Sequence, residues 1–421
     1  MNVLVVGGGG REHTLVWKID QSPKVSKIYC APGNGGISDF AECVDIEATD
    51  INGIADFAKE KGIDLVVVAP DDPLAMGMVD ELNKRGIRAF GPNKRAAILE
   101  GSKVFSKNFM KKYNIPTAEF QIFDNREDAN SFLQDCNYPI VVKADGLALG
   151  KGVIIAKDFS EAKRAVDACM VNKAFGKSGE RIVIEEFLEG PEVSVLCFTD
   201  GTTIVPMPSA QDHKKVYDGD RGPNTGGMGA FSPSPYYTQE VETFCMENIF
   251  IPTMEAMKME DRLFKGVLYF GLMLTDRGPK VLEYNARFGD PETQVLLPLL
   301  ETDIVDIFEA IIDERLDEID IVWKQDKATL CVILASGGYP KSYKKGYEIH
   351  GIEATKKDID VFIFHSGTKK ENGSYYTDGG RVIGITAIAQ DLDSAYKTVY
   401  SHIEDIDFKD MHYRRDIGKK V

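Results

Sequence analysis

The first hundred residues alternate short apolar runs with segments of helical periodicity. The apolar run NVLVV at residues 2–6 ends in four glycines, and residues 11–17, which follow them, have helical spacing. This alternation recurs as far as the run IRAFGP at residues 87–92. Strands and helices that alternate at this spacing form a parallel sheet covered by helices. We therefore predict an open, Rossmann-like α/β domain over residues 1–102.

The pattern changes after residue 102. A helix with lysines at every fourth position leads to apolar β-type runs at residues 140–143 and 153–156. The Gly-rich stretch between these runs predicts an antiparallel hairpin with a long loop. Further β-type runs and helical segments follow, without the regular alternation of the first hundred residues. We predict an α+β domain, not a doubly wound one, over residues 103–325.

The last part of the chain shows a third pattern, with few helical segments. β-type runs in ATLCVILAS, VFIFHSG and RVIGITAIAQ precede one final helix near residues 392–403. A chain of 421 residues fits roughly three domains of about 100–200 residues each. We therefore predict a separate, mostly β domain over residues 326–421.

Composition narrows the class of partner. The chain has 50 Lys and Arg against 66 Asp and Glu, a formal net charge of −16. Such a surface repels nucleic-acid backbones and anionic membranes, so we expect neither as a partner. The seven cysteines are scattered and include no CxxC pair, which favours neither disulfides nor zinc. With no signal peptide and no apolar run near ~18 residues, the sequence predicts a cytoplasmic protein.

Three turns follow the strands of the N-terminal domain at the sheet edge where ligands bind in α/β folds. Gly7 and Gly9 fit a dinucleotide fingerprint, but Glu12 replaces its third small residue, and the second strand ends without a carboxylate. Both departures oppose a nicotinamide site. The turn is suited to an anion such as a phosphate, or is a purely structural tight turn. The other two turns are PGNGG (residues 32–36) and DDPL (residues 71–74).

Two segments of the middle domain carry features of a nucleotide site. In VVKADGLALGKG, Lys143 closes an apolar strand and is followed by three glycines and a second lysine. Ammonium groups and a mobile glycine loop suit a polyphosphate, although an exposed hairpin turn is the alternative. In EEFLEGPEVS, the residues between two strands can offer backbone groups to a purine edge, with Glu192 at ribose hydroxyls, or form a solvated turn.

The segment LEYNARFGDPETQ carries the strongest local signal. Glu283 and Asn285 are two apart on a strand, so they point to one face, and their oxygens suit Mg²⁺. Arg287 on that face could bind a carboxylate or a transferring phosphoryl group. A buried structural network is the alternative. The long polar loop at residues 211–229 contains Asp212, His213 and Lys214 and a dense glycine pattern, which is typical of an ordered functional loop.

Taken in order, VLVVGGGGREH, APGNGG, VVKADGLALGKGV, EEFLEGPEVS, AQDHKKVYDGDRGPNTGGMGAFSP and LEYNARFGDPETQ closely resemble the phosphoribosylamine–glycine ligase (glycinamide ribonucleotide synthetase) family of the ATP-grasp superfamily. The resemblance covers essentially the whole chain. It implies a central ATP-grasp domain with a mobile lid over about residues 121–190. The implied activity joins glycine to 5-phosphoribosylamine in purine biosynthesis, with ATP cleaved to ADP and a glycyl phosphate intermediate.

The resemblance also assigns residues to roles. ATP would contact Lys103, Lys143, Gly150, Gly152, Glu185, Glu186, Phe187, Leu188 and Glu192. Mg²⁺ or Mn²⁺ would be held by Glu283 and Asn285. Asp212, Lys214 and Arg287 would orient glycine and its acyl phosphate, and with Lys143 they form the expected catalytic set. Phosphoribosylamine would meet Gly8, Gly9, Arg11, Glu12, Asn34, Gly35, Gly36 and Asp71.

Two departures and three alternatives accompany this interpretation. The family has Gly-Pro-Glu-x-Pro-Leu where this chain has APDDPL, so Asp71 is one methylene shorter than the usual glutamate. The run at 266–274 lacks the carboxylate that many ATP-grasp enzymes place there. The alternatives are a ligase or formyltransferase for another carboxylate or amine, a nicotinamide oxidoreductase, and a non-catalytic nucleotide binder. We expect small-molecule substrates and a monomer or weak homo-oligomer.

Overall fold

The computed structural model describes residues 1–147, 152–355 and 358–419. Its first hundred residues form a parallel sheet with strand order β3-β2-β1-β4-β5, as the alternating apolar runs predict. The strands are β1 (Asn2–Gly7), β2 (Lys27–Pro32), β3 (Glu42–Cys43), β4 (Leu65–Val68) and β5 (Ala89–Phe90). The helices are α1 (Gly10–Ile19), α2 (Ile51–Lys61), α3 (Asp71–Met76), α4 (Met78–Lys84) and α5 (Lys94–Gly101).

A small antiparallel sheet, called the hairpin sheet below, follows in the order β6-β9-β7-β8. It comprises β6 (Phe120–Phe123), β7 (Ile140–Ala144), β8 (Val153–Ala156) and β9 (Ile182–Glu186), with α6 (Lys103–Lys112), α7 (Arg126–Leu133) and α8 (Phe159–Met170) around it. The predicted hairpin is present, since β7 and β8 pair antiparallel. Residues 148–151 of its loop lie outside the described residues.

The middle of the chain forms a second antiparallel sheet in the order β11-β10-β16-β17. The strands of this region are β10 (Glu192–Thr199), β11 (Ile204–Pro206), β12 (Gln211–Asp212), β13 (Lys215–Tyr217), β14 (Arg221–Asn224), β15 (Gly229–Ser232), β16 (Gly266–Thr275) and β17 (Gly278–Asn285). Its helices are α9 (Gln239–Cys245), α10 (Ile251–Met259), α11 (Glu292–Leu296) and α12 (Ile304–Ile312). Strand β17 thus delivers Glu283 and Asn285 at its carboxyl end.

The main sheet of the C-terminal part includes strands from the middle of the chain. The central strand β18 pairs with β23 and β24 but also with β15 from the middle of the chain, which in turn pairs with β12. The elements here are β18 (Ala328–Ser336), β19 (Glu348–Ile349), α13 (Ile352–Thr355), β20 (Val361–His365), β21 (Thr368–Glu371), β22 (Ser374–Thr377), β23 (Arg381–Ala389), α14 (Leu392–Ile403) and β24 (Met411–His412). The predicted domain division stays a prediction.

An apolar core ties the N-terminal sheet to the middle of the chain. Phe90 of β5 stacks on Phe308 of α12 at 3.9 Å between ring centroids, and Phe288 packs edge-on against Phe198 at 6.0 Å. These four rings are almost fully buried. Because large buried rings lock their backbone in place, this core fixes the segment that contains Arg287. None of the helices described is both long and apolar enough to cross a membrane.

Candidate active site

Residues from the N-terminal, middle and C-terminal parts of the chain line one large cleft of about 1000 Å³. Among the predicted site residues, it is lined by Arg11, Asp71, Lys103, Lys143, Gly152, Glu185, Glu186, Phe187, Leu188, Glu192, Asp212, Lys214, Glu283, Asn285 and Arg287. Gly8, Gly9, Glu12, Asn34, Gly35 and Gly36 do not line it, and Gly150 lies outside the described residues. The cleft thus brings the predicted nucleotide, glycine and metal residues together.

Two lysines share one carboxylate on the wall formed by the hairpin sheet. Glu185, at the end of β9, lies 2.9 Å from Lys143 Nζ and 3.2 Å from Lys107 Nζ. All three side chains are buried. Burial lowers the pKa of Lys107 to about 8; Glu185 opposes this shift and Lys143 adds to it. The regular lysine spacing of α6 is visible in the sequence, but it indicates no role for Lys107 because the carboxylate partner of Lys107 lies far along the chain.

Lys143 also joins two sheets. It extends from β7 and donates to the carbonyl of Leu282 on β17 at 3.1 Å. Lys103 is held beside it, because the Ser102 side chain caps α6 by accepting from the Phe105 N–H at 3.0 Å, which makes Lys103 the first helical residue. Its Nζ donates to the carbonyl of Gly146 at 3.0 Å. Both ammonium groups are therefore fixed at the mouth of the glycine-rich loop.

Asp145 anchors the start of that loop and was missed in the sequence. Its carboxylate accepts from Ser102 Oγ at 2.9 Å and from the Val104 N–H at 3.1 Å, and it pairs with Arg181 at 2.6 Å. An acidic group at a helix N-terminus is favoured by the helix dipole. Asp145 therefore ties the end of β7 to the first turn of α6.

Glu283 lies at the centre of the positive charges of the cleft. Burial alone would raise the pKa of Glu283, but Lys214, Lys103, Lys143 and Arg287 outweigh it and hold the pKa below its usual value. Lys214 Nζ lies 3.7 Å from Glu283 Oε1 and also pairs with Glu192. The carboxylate is therefore ionised, and with the Asn285 amide on the same cleft wall it offers oxygen ligands.

A second carboxylate group lies at the inner end of the cleft. Glu292 accepts from Tyr269 Oη at 3.0 Å and from Ser194 Oγ at 3.2 Å. Burial, followed by the charge of Glu292, raises the pKa of Asp212 well above its usual value. Asp212 Oδ1 is buried without a hydrogen-bond partner among the described residues. The buried Asp212 carboxyl therefore either keeps its proton or receives a cationic group.

Arg287 faces the cleft with one donor to spare. It pairs with buried Glu100 at 3.2 Å and donates to the carbonyl of Phe288 at 3.1 Å. Its Nε is buried and has no hydrogen-bond partner in the part of the chain described. Glu100 lies in the last turn of α5 and accepts from the Ala286 N–H at 2.7 Å. It therefore orients the segment after β17 that carries Arg287. Its role was missed because α5 contains no local motif.

The N-terminal glycine turn is bonded mostly to itself. Glu12 accepts from the Gly9 N–H and from Arg11 Nε, each at 2.6 Å. Asn34 donates to the Gly8 carbonyl at 2.9 Å and accepts from the Gly36 N–H at 2.9 Å. Of this predicted set only Arg11 and Asp71 reach the cleft. The turn contacts the cleft through Arg11, whose backbone N–H donates to Asp290 Oδ2 at 3.2 Å.

Buried His213 should make the stability of the folded protein sensitive to acid. Burial, aided by Arg414, lowers the pKa of His213 from 6.5 to about 4, and its Nδ1 is buried with no hydrogen-bond partner among the residues described. Between these two pH values the unfolded chain binds a proton that the folded chain does not, so the free energy of unfolding falls as the pH drops. Thermal unfolding from about pH 7 to pH 5 should show a shallower decline for His213→Gln than for the unchanged protein.

The matched control is His350→Gln, because the His350 side chain is exposed. That variant should follow the unchanged protein. Parallel curves for all three proteins would contradict the role given to His213.

An open cleft with lysines on and beside a small antiparallel sheet, and carboxylate and amide donors on a second strand, is typical of ATP-grasp proteins. Three family descriptions match the chain in order: "Phosphoribosylglycinamide synthetase, N domain" over residues 1–100, "ATP-grasp (A) domain" over 101–293 and "C domain" over 329–420. The chain belongs to the phosphoribosylglycinamide synthetase family.

Known proteins are similar to this chain over nearly its full length. A phosphoribosylamine–glycine ligase of Caldanaerobacter subterraneus is 50% identical over 418 residues, 99% of each chain. The trifunctional purine biosynthetic protein adenosine-3 of Gallus gallus is 48% identical over 422 residues, which is 42% of that protein. The crystal structure of phosphoribosylamine–glycine ligase from Thermotoga maritima matches with a TM-score of 0.85 and 32% identity, covering 99% of this chain and 100% of that one.

More distant structures share the fold. Biotin carboxylase of Campylobacter jejuni, solved as a β,γ-ATP complex, matches with a TM-score of 0.75 and 14% identity over 99% of this chain and 94% of that one. At that identity the likeness concerns the fold alone. It agrees with the predicted ATP-grasp architecture.

Proposed function

We propose that this protein joins glycine to 5-phosphoribosylamine, using ATP and releasing glycinamide ribonucleotide, ADP and phosphate, in purine biosynthesis. The observation that carries the proposal is the cleft itself. Lys103, Lys143, Lys214 and Arg287 all line it, and each lowers the pKa of Glu283. These four cationic groups in one cleft suit a polyphosphate and a second, anionic substrate.

The nucleotide belongs on the hairpin-sheet side. Lys103 and Lys143 are within the cleft and fixed by backbone carbonyls, which prepares them for phosphate oxygens. Phe187 and Leu188 follow β9 and line the same wall, where they suit an adenine ring; Glu192 begins the next strand, at the ribose. We assign Gly152, which also lines the wall, to the loop over the phosphates.

Mg²⁺ or Mn²⁺ fits the donor set of Glu283 and Asn285. Both are oxygen donors, and the Glu283 carboxylate is ionised. Within residues 1–147, 152–355 and 358–419, three or more His, Cys, Asp or Glu side chains do not cluster as a metal site. Magnesium bound by one or two protein oxygens, with waters and substrate phosphates completing its shell, is the usual arrangement for nucleotide enzymes. When bound, the ion supplies positive charge to the phosphate oxygens.

In the first chemical step, the glycine carboxylate attacks the γ-phosphorus of ATP as the nucleophile. The bond to the leaving ADP oxygen breaks as the new O–P bond forms, giving glycyl phosphate. Arg287 and Lys214 hold the carboxylate and offset the charge that spreads over the phosphoryl oxygens. Asp212 and Glu292 both line the cleft, and we assign their carboxyl oxygens to the glycine ammonium.

In the second step the amine of phosphoribosylamine adds to the acyl carbon of glycyl phosphate, and inorganic phosphate leaves from the tetrahedral intermediate. The amine loses a proton as the amide forms. Arg11 and Asp71 lie on the cleft wall that adjoins the N-terminal sheet, and we assign Arg11 to the phosphate of phosphoribosylamine and Asp71 to its hydroxyls or amine. The glycine-rich loop after Gly146 would exclude water, which would otherwise hydrolyse the acyl phosphate.

ADP release is the direct test. With Mg²⁺ and ATP, the purified protein should release ADP only when glycine and freshly generated phosphoribosylamine are both present. Turnover with another carboxylate or amine in place of either would favour a different ATP-grasp ligase. ATP binding without turnover would leave a nucleotide-binding protein and overturn the ligase proposal.

We further propose that the protein works in the cytoplasm on small molecules, as a monomer or weak homo-oligomer. Support comes from its net charge of −16, which disfavours nucleic acids and anionic membranes. The free cysteines Cys30, Cys169 and Cys197, all buried, are compatible with a reducing compartment.

A further inference from the structure

We propose that Arg381 is a positioning residue for the acceptor side of the cleft, where glycine and phosphoribosylamine would bind; this inference rests on the proposed function. Arg381 is the first residue of β23 and reaches the cleft from the C-terminal sheet. Its Nη1 donates to the Gly226 carbonyl at 2.7 Å and to the Asp290 carbonyl at 2.9 Å. One guanidinium therefore joins two loops that are distant in sequence.

The first of these loops carries Asp290. Arg381 Nη1 lies 3.3 Å from Asp290 Oδ1, and the other carboxylate oxygen accepts from the Arg11 N–H at 3.2 Å. Asp290 also accepts from Gln294 Nε2 at 2.9 Å. Burial would raise the pKa of Asp290, but Arg381 and Arg11 outweigh it and keep the carboxylate ionised. Asp290 therefore transmits the position of Arg381 to the N-terminus of α1, where Arg11 enters the cleft.

The second loop carries Gly226 and leads to the expected glycine-binding residues. The Gly226 N–H donates to Tyr339 Oη at 3.0 Å, so Tyr339, which follows β18, and Arg381, which begins β23, both hold this residue. Thr225, next to it, donates through its N–H and Oγ1 to the carbonyl of Lys214, at 2.7 and 2.8 Å. A side chain at Gly227 would lie 2.7 Å from Asp212 Oδ1. The loop therefore packs directly on Asp212 and Lys214.

Arginine is the residue suited to this place. Its planar guanidinium can serve several carbonyl and carboxylate oxygens in fixed directions, whereas a lysine ammonium acts as a point charge. These contacts of Arg381 are with protein atoms, and its proposed role is to hold the two loops without contact with a reacting atom. Because misplacement of substrate-binding groups by about 1 Å can cost on the order of 100-fold in rate, loosening these two loops should impair the acceptor substrates and spare ATP.

The test compares Arg381→Met and Arg381→Lys with the unchanged full-length protein. For Arg381→Met we expect kcat/KM for glycine and for phosphoribosylamine to fall on the order of 100-fold. The KM for ATP should stay within about twofold, because Lys103, Lys143 and Glu185 are held by other contacts. Arg381→Lys should recover part of the loss, and added guanidinium ion should partly restore Arg381→Met. The matched control is Arg88→Met, whose pair with Asp313 at 2.9 Å lies outside the cleft lining.

Gly226→Ala provides a second route if Arg381→Met does not fold. An added Cβ would lie 3.0 Å from Arg381 Cζ, so it displaces the guanidinium without removing it. The same selective loss for glycine and phosphoribosylamine is expected. The inference is overturned if these variants leave the acceptor constants unchanged, or if the ATP and acceptor constants decline together with the melting temperature. If the unchanged protein itself lacks glycine-dependent ADP release, the proposed function fails instead.

Discussion

Glu283→Ala should reduce turnover by on the order of 100-fold or more while the protein stays folded. The carboxylate is ionised because four cationic side chains in the cleft outweigh the effect of burial on its pKa. Its removal leaves the cations without their shared anion and takes away one of the two proposed metal donors. The Glu283 side chain is 33% exposed, so the loss of its ion pair with Lys214 should cost at most about 1 kcal/mol of unfolding free energy.

The measurement pairs steady-state ADP release with thermal unfolding. Glu240→Ala is the control, since Glu240 is an exposed glutamate of α9 outside the cleft lining. We expect that control to match the unchanged protein in both assays. Near-normal turnover of Glu283→Ala would remove Glu283 from the proposed metal site.

Glu185→Ala should be among the most destabilising single substitutions in the chain. Glu185 is the common partner of Lys107 and Lys143, and all three are buried, with exposures of 3%, 2% and 6%. Breaking a buried ion pair by removing one partner costs about 3–5 kcal/mol because a charge stays buried without compensation. Here two ammonium groups lose their shared carboxylate at once, while Lys143 keeps the Leu282 carbonyl and Lys107 keeps Thr117 Oγ1, so we expect a loss within that range.

Denaturant unfolding measures this effect, with Glu186→Ala as the control. Glu186 is the next residue of the same strand, and its 36% exposed carboxylate pairs with Lys280 at 2.7 Å. A partly exposed pair of this kind contributes roughly 1 kcal/mol or less. Equal losses for the two variants would show that Lys107 and Lys143 do not depend on Glu185.

Local sequence patterns predicted the strands and much of the candidate site. The runs of β1 and β4 are buried on both faces, so they are continuously apolar, and the hairpin of β7 and β8 has a glycine-rich connection. Glu283 and Asn285 were found because a spacing of two on a strand places both side chains on one face. Each of these inferences needs only neighbours in the chain.

The residues that sequence analysis missed act through partners far along the chain. Lys107 meets Glu185, Glu100 meets Arg287, and Arg381 meets Asp290. In each case one member lies in a segment without a motif, and only the packing of the sheets brings it to the cleft. The glycine turn is the opposite case: its local pattern is clear, its polar groups bond mainly to one another, and its assignment to phosphoribosylamine stays a prediction.

The pairing of β15 with β18 has a consequence for dissecting the molecule. A cut near residue 325 would separate the nucleotide wall from the C-terminal strands, but it would also strip β15 of its neighbour over four buried residues, Gly229–Ser232. Unpaired strand edges of this kind promote aggregation. The nucleotide-binding part therefore cannot be exchanged as a unit that ends at that border. Any chimaera must take β15 and the C-terminal strands from the same protein.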